Sequence, residues 1–182
     1  MGLCYLTEKH FRRYNFVESL WRISFLKKKA DSIFFLLFHF SGTYRYRADH
    51  RNAIRIWEEE TLPVYERELG EHPWTASILY FIATSYKIIA KRESGDYAEK
   101  GKTKIMAALE IQEKLLGIHL DTARSHVCLG AILKIQGELK LALEELDKGL
   151  KIREEVLGPH HEKTIETREF KARVQRLYEG SN

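Results

Sequence analysis

Residues 109–117 read LEIQEKLLG, and the pattern occurs twice more, as LPVYERELG at residues 62–70 and LKIREEVLG at residues 150–158. Each copy has leucine at positions one and eight, glutamate at position five and glycine at position nine. A second shared phrase with a histidine and a threonine follows each glycine: His72 and Thr75, His119 and Thr122, His161 and Thr164. The threonines are 47 and 42 residues apart, so one unit is repeated along the chain.

Repeats of this length are typical of stacked helices, in which each unit buries its apolar face against its neighbours. We therefore predict an all-α fold, a right-handed α-solenoid of antiparallel helix hairpins. Residues 61–161 are expected to hold the repeats, residues 1–60 a helical region that caps the array, and residues 162–182 a capping helix and tail. In such a fold the working part is a surface rather than a pocket of reactive groups.

The second unit shows the pattern most clearly. Thr122–Ile135 has the apolar spacing of one helix, Gly137 makes the turn, and Leu139–Ile152 forms the returning helix with apolar residues at i, i+3, i+4 and i+7. Glycine inside a helix costs about 1 kcal/mol relative to alanine. Gly130, Ala142 and Gly149 are therefore predicted where the two helices approach closely. In the final helix, an apolar stripe of Ile165, Phe170, Val174 and Leu177 is predicted to face the array.

Composition limits the classes of function. The chain has 182 residues, 44% apolar and 31% charged, with a net charge of +4. Residues 1–60 hold 11 Lys/Arg against 7 Asp/Glu, whereas residues 61–182 hold 19 of each, so no nucleic-acid interface is expected on the repeats. Cys4 and Cys128 form no metal-binding spacing, and a reducing, cytoplasmic location is predicted. The apolar run Ile33–Phe40 is too short to cross a bilayer, which needs about 20 residues.

The first third of the chain reads as helices that close the array. An amphipathic helix is predicted to end at Lys27–Lys29, and Ile33–Phe40 is read as a second, buried helix. Pro63 lies within the longer helical segment Ala48–Leu69, where it should kink the helix or start it afresh. An alternative function follows from the aromatic residues of this region, which could form a homo-oligomer interface. Membrane association through Phe34–Phe40 is the least favoured alternative.

The repeats resemble tetratricopeptide repeats of the longer-period kind found in kinesin light chains, nephrocystin-type proteins and NLR-like receptors. The resemblance covers roughly residues 62–182 and implies a non-enzymatic scaffold that binds a peptide or protein. Where kinesin light chains offer an asparagine to the groove, this chain has Phe81 and Cys128, and it contains no Walker-type GxxxxGK. The matching residues are Gly70, His72, Pro73, Thr75, Ala76, Ile82, Ala83, Gly95, Tyr97, Ala108 and Leu109, then Gly117, His119, Thr122, Ala123, Leu129, Gly130, Gly137, Leu139, Ala142, Gly149 and Leu150.

Residue types that often carry chemistry have structural explanations here. His72, His119 and His161 precede helix starts, where each can cap an amide together with the nearby threonine. Packed helices lie about 8–10 Å apart, so these histidines are too distant to share a metal ion. His126 and Cys128 are two residues apart on a helix and do not face each other. Glu58-Glu59-Glu60 reads as a solvated face or a partner for the basic stretch upstream. We predict no catalytic site, metal or cofactor.

The predicted binding surface is the concave groove formed by the first helix of each hairpin. Lys87 and Lys134 occupy equivalent positions and, with Arg124, could form a row of cations. The predicted partner is therefore a protein or peptide that carries acidic or carboxylate groups. The residues assigned to partner binding are Tyr80, Thr84, Lys87, Arg124, Val127 and Lys134, with Ser77 and Ala131 beside them.

Overall fold

The computed structural model describes residues 49–181, and all regular structure within that range is helical. The predicted helices near residues 16–29 and 33–40, and with them most of the N-terminal cap and the aromatic oligomer interface, lie outside it. The helices are α1 (His50–Ile56), a π-helical turn (Trp57–Thr61), α2 (Leu62–Leu69), α3 (Pro73–Ala90), α4 (Tyr97–Leu115), α5 (Leu120–Gln136), α6 (Leu139–Leu157) and α7 (Glu162–Glu179).

The helices pack in chain order. Helix α3 pairs with α4 and α5 with α6, α4 packs on α5, and α7 packs on α6. We call α3 and α5 the first helices of the two hairpins, and α4 and α6 the second helices. Thr164 in α7 is the repeat equivalent of Thr122 in α5, so α7 is the counterpart of α5. The predicted all-α solenoid of helix hairpins is confirmed.

Small residues allow the helices of each hairpin to approach closely, as predicted. A Cβ at Gly130 would lie 2.8 Å from Cγ of Leu146, and one at Gly149 would lie 3.0 Å from the carbonyl oxygen of Ala123. The first hairpin also has small residues at the equivalent positions, but with glycine and alanine exchanged. Ala83 and Ala108 correspond to Gly130 and Gly149, and Gly101 corresponds to Ala142.

The repeated Leu-Gly phrase follows the ends of α2, α4 and α6. Gly70, Gly117 and Gly158 all have positive φ angles, of 60°, 57° and 86°, which side chains with a Cβ rarely adopt. Gly137 ends α5 in the left-handed region, and its amide bonds back to the carbonyls of Leu133 and Lys134. The predicted turns therefore lie at the predicted glycines.

The repeated histidines cap the helices that follow them. Nδ1 of His72 accepts a hydrogen bond from the amide of Trp74 at 3.2 Å, and His119 and His161 accept equivalent bonds at 3.1 Å. The prediction for the histidines is confirmed, but the assignment of the threonines is wrong. The hydroxyls of Thr75 and Thr164 donate to carbonyl oxygens instead, because these side chains point back at the end of the preceding helix.

Replacing His119 by alanine should lower the free energy of unfolding by about 0.5–2 kcal/mol, because one amide at the start of α5 loses its acceptor. Urea unfolding followed by circular dichroism measures the change. His160 is an exposed neighbour of a capping histidine and caps nothing itself, so H160A is the matched control and should change stability by less than about 0.5 kcal/mol. Equal losses in the two variants would show that the cap contributes nothing.

Pro63 is accommodated without a break in the helix. A proline removes one backbone donor, and here the turn before it is π-helical, with the amide of Leu62 bonded to the carbonyl of Trp57. The hydroxyl of Thr61 donates to the carbonyl of Ile56 at 3.2 Å and stabilises this wider turn. The three segments, α1, the π-helical turn and α2, follow one another directly, and α-helix begins afresh at Leu62 with Pro63 in its first turn, which agrees with the predicted new start; the kink stays a prediction.

Helix α7 buries a different face from the predicted one. Val174 is fully buried, but Ile165 and Leu177 are 40% and 48% exposed. Ile165 is nine residues from Val174, which is half a turn out of phase at 100° per residue, so both cannot face α6. The buried positions are taken by Thr164 and Thr167, and the apolar contact by Val174 and half-buried Phe170.

Candidate functional site

The six predicted binding residues lie on first helices that are otherwise mostly buried. Tyr80, Thr84 and Lys87 on α3 and Arg124 and Val127 on α5 are half-buried, and Lys134 is exposed, so each keeps accessible surface. The two helices are neighbours, since the hydroxyl of Thr84 lies 3.9 Å from Sγ of Cys128. Ser77 and Ala131 are also half-buried. We call the surface formed by the exposed sides of α3, α5 and α7 the groove wall.

Arg124 already has two contacts on this wall. Its guanidinium lies 4.7 Å from the centre of the Tyr80 ring, a cation–π distance, and Nη1 donates to Oδ1 of Asp121 at 2.9 Å. Asp121 precedes Arg124 by three residues on α5, so the pair forms along one helix face. An acidic group on a partner would compete with Asp121 for this arginine.

The lysines of the predicted row have different surroundings. Nζ of Lys134 lies 5.9 Å from the centre of the Phe170 ring on α7, and the guanidinium of Arg173 lies 5.8 Å from the same ring. Lys87 forms no ion pair with the carboxylates of residues 49–181. Arg124 and Lys134 are ten residues apart, about 15 Å along α5. The cations therefore lie along the wall rather than around one point.

Arg153 was missed by the sequence prediction. It belongs to α6, a second helix, yet only 9% of it is exposed, and Nη1 donates to the carbonyl oxygen of Lys163 at 2.7 Å and to the hydroxyl of Thr167. The spacing Leu146, Gly149, Leu150 and Arg153 follows i, i+3, i+4 and i+7, so the helical period places this arginine on the inner face of α6. This spacing could have identified Arg153 as an inner-face residue from the sequence.

Side chains that could have suggested catalysis have structural roles. Cys128 is buried, as predicted, and His126 contacts a carboxylate with each ring nitrogen: Nδ1 lies 2.7 Å from Glu145 and Nε2 lies 3.3 Å from Glu113. Across residues 49–181, no group of three or more His, Cys, Asp or Glu side chains has an arrangement that could hold a metal ion.

The glutamate run before α2 is only partly a solvated face. Glu58 accepts a hydrogen bond from the Tyr86 hydroxyl at 2.9 Å and pairs with Lys104 at 3.1 Å, so it joins α3 and α4. Burial, together with the Glu58 carboxylate, raises the pKa of Tyr86. Glu59 and Glu60 lie 3.7 Å and 4.0 Å from Arg55. Any contact with the basic stretch upstream involves residues outside the described range.

Among the described helices, none combines the length and the apolar character that a bilayer crossing requires.

Comparison with curated proteins gives no match to this chain. Residues 121–180, about a third of the chain, match the model of the tetratricopeptide repeat family. The matched range starts in the first turn of α5 and ends just after α7, so it covers the second hairpin and the helix that follows. The kinesin-light-chain, nephrocystin or NLR-like subtype stays a prediction. The hairpin packing and the family match together support a tetratricopeptide repeat protein, a class that generally mediates protein–protein interaction and scaffolding.

Proposed function

We propose that this chain is a non-enzymatic cytoplasmic scaffold that binds an acidic peptide or protein segment on its groove wall. The observation that carries the proposal is the charge of the first helices. Helix α3 has no Asp or Glu and one cation, Lys87, while α5 has Arg124 and Lys134 against Asp121 alone. The second helices α4 and α6 together hold eight acidic residues and eight Lys/Arg, so the excess of positive charge among the four hairpin helices lies on α3 and α5.

The wall has the features of a surface that holds an extended guest. Tyr80, Thr84 and Val127 offer aromatic, hydroxyl and apolar contacts between the cations, and half-buried side chains lose little rotamer freedom on binding. Aromatic residues and arginine are the residue types most often found at energetic centres of interfaces. Tyr80 with Arg124 above its ring is such a pair.

A guest held by cations should bind less tightly when the cations are reversed. In R124E/K134E, the affinity for acidic peptides selected from a random library should fall about tenfold or more, because like charges then face each other. Fluorescence anisotropy with the selected peptides measures the affinity, which should also weaken with added salt.

The matched control is K140E/K151E, which makes the same change of charge on the exposed side of α6, away from the first helices. This variant should bind the peptides with nearly unchanged affinity. If both double variants bind equally well, the groove wall is not the binding surface. If the library yields only peptides without acidic residues, the charge argument is wrong.

A further inference from the structure

The turn between α3 and α4 carries a serine that follows two basic residues. It reads KRESGD at residues 91–96, so Lys91 and Arg92 lie three and two residues before Ser94. All six residues are exposed, and none belongs to a helix. Protein kinases select substrates partly by the pattern of charge around the target hydroxyl, and exposed loops are the segments that a second protein reaches. The turn therefore has both features of a substrate for a kinase that selects basic residues before the serine.

The other serines of residues 49–181 lack one or both of these features. Ser85 and Ser125 are buried, and Ser77 is half-buried within α3. Ser181 is exposed but has no basic residue two or three positions before it. In the described part of the chain, Ser94 is therefore the serine that combines exposure with basic residues at both positions.

The carboxylates on either side of Ser94 are already held by cations. Glu93 pairs with Arg51 of α1, and Asp96 pairs with Lys100 of α4 at 2.9 Å. The two basic residues of the turn form no ion pair with the carboxylates of residues 49–181. The turn and its two partners thus hold four cations against two carboxylates, so the surroundings of the serine favour an added negative charge.

Arg51 contacts the chain both before and after Ser94. Its guanidinium pairs with Glu93, and Nη1 donates to the Tyr97 hydroxyl at 3.1 Å. The same guanidinium lies 5.5 Å from the centre of the Tyr97 ring. Ser94 lies between these two contacts in the chain, so a phosphate on its hydroxyl would come close to this guanidinium. The planar fork of arginine fits a phosphate with two parallel hydrogen bonds.

We propose that Ser94 is phosphorylated by a protein kinase that selects basic residues, and that the phosphoserine binds Arg51 in place of Glu93. In the reaction, Oγ of Ser94 attacks the γ-phosphorus of ATP, the bond from that phosphorus to the bridging oxygen of ADP breaks, and the hydroxyl proton passes to a base of the kinase. The phosphate carries a charge of about −1.5 to −2 at pH 7 and three acceptor oxygens. It therefore ties the α3–α4 turn to α1 more strongly than a single carboxylate does. This modification does not depend on the proposed groove function.

The kinase site is tested on the full chain with ATP and the catalytic subunit of cAMP-dependent protein kinase, which selects basic residues before serine. Mass spectrometry should locate phosphate on Ser94, and the rate at Ser94 should fall about tenfold or more in K91E/R92E, because the charge pattern is reversed. The matched control K140E/K151E makes the same change of charge on α6 and should be modified at the wild-type rate. Phosphate on other residues but not on Ser94, or equal rates in the two double variants, would overturn the assignment of Ser94.

The contact with Arg51 is tested on the phosphorylated chain by ³¹P spectroscopy across pH. The titration midpoint of the phosphoserine should lie about half a pH unit or more below that in R51Q, because a nearby cation favours the dianion. In R51Q the midpoint should return to about 6, the value of an exposed phosphoserine. R55Q is the control, since Arg55 is an exposed arginine one turn further along α1 that lies near Glu59 and Glu60 instead. Equal midpoints in wild type and R51Q would overturn the contact with Arg51, whereas the site itself is judged by the kinase rates.

Discussion

Replacing Gly149 by valine should lower the free energy of unfolding by about 3 kcal/mol, because the second hairpin has no space for a side chain there. The Cβ of the new residue would lie 2.9 Å from Cγ2 of Val127 and 3.0 Å from the carbonyl oxygen of Ala123. The carbonyl belongs to the backbone of α5 and cannot rotate away. The helices must separate, which also exposes the contact between Gly130 and Leu146. Urea unfolding followed by circular dichroism measures the loss.

The control for this prediction is K151V, which places the same side chain at an exposed position of the same helix. It carries the same low helix propensity of valine but meets no neighbour, so its loss should stay below about 1 kcal/mol. Similar urea midpoints for G149V and K151V would mean that the close approach of α5 and α6 does not limit the residue at position 149.

Features set by local backbone geometry could be predicted from the sequence. One local requirement explains each of these features: a turn with positive φ needs glycine, a helix start needs a capping side chain, and a close approach of two helices needs a small residue. The repeats show each feature several times. The structure therefore has the predicted turn at Gly117, the predicted helix cap at His119 and the predicted close approach at Gly130. The burial of Cys128 follows from the same helical period.

The residue that a side chain contacts on a neighbouring helix could not be predicted in the same way. Which carboxylate meets His126 or Lys104 depends on the register and angle at which the helices pack, and the repeat pattern fixes neither. The contact of Arg124 with the Tyr80 ring on α3 is of this kind, whereas its pair with Asp121 follows the i, i+3 spacing within α5. The position of Arg153 on the inner face of α6 could be predicted from the helical spacing, but its hydrogen bonds to α7 could not.

His126 shows what such partners contribute. Its imidazole lies on α5, but Glu113 belongs to α4 and Glu145 to α6, so one side chain joins both hairpins. The side chain of Glu145 is largely buried and also accepts from Lys148 at 2.7 Å. The contact therefore links successive repeats through a buried side chain.

Replacing His126 by alanine should lower the free energy of unfolding at pH 5.5 by about 2–4 kcal/mol, because it leaves a cavity and removes a donor from the Glu145 carboxylate. Burial raises the pKa of Glu145, but the hydrogen bonds and charges of His126 and Lys148 outweigh it and hold the pKa below its ordinary value of 4.5. A group with a lowered folded-state pKa contributes stability above the unfolded-state pKa, and that contribution is lost as the pH falls through the folded-state pKa.

The difference in unfolding free energy between wild type and H126A should therefore shrink between pH 5.5 and pH 3, as Glu145 takes up a proton and its carboxylate loses the charge that His126 stabilises. H126F restores much of the ring volume without nitrogen atoms, so it should recover part of the packing loss and leave the pH-dependent part absent. Urea midpoints of wild type, H126A and H126F across this pH range measure the packing loss and the pH-dependent loss. A wild-type advantage over H126A that stays constant down to pH 3 would mean that the ring acts by packing alone.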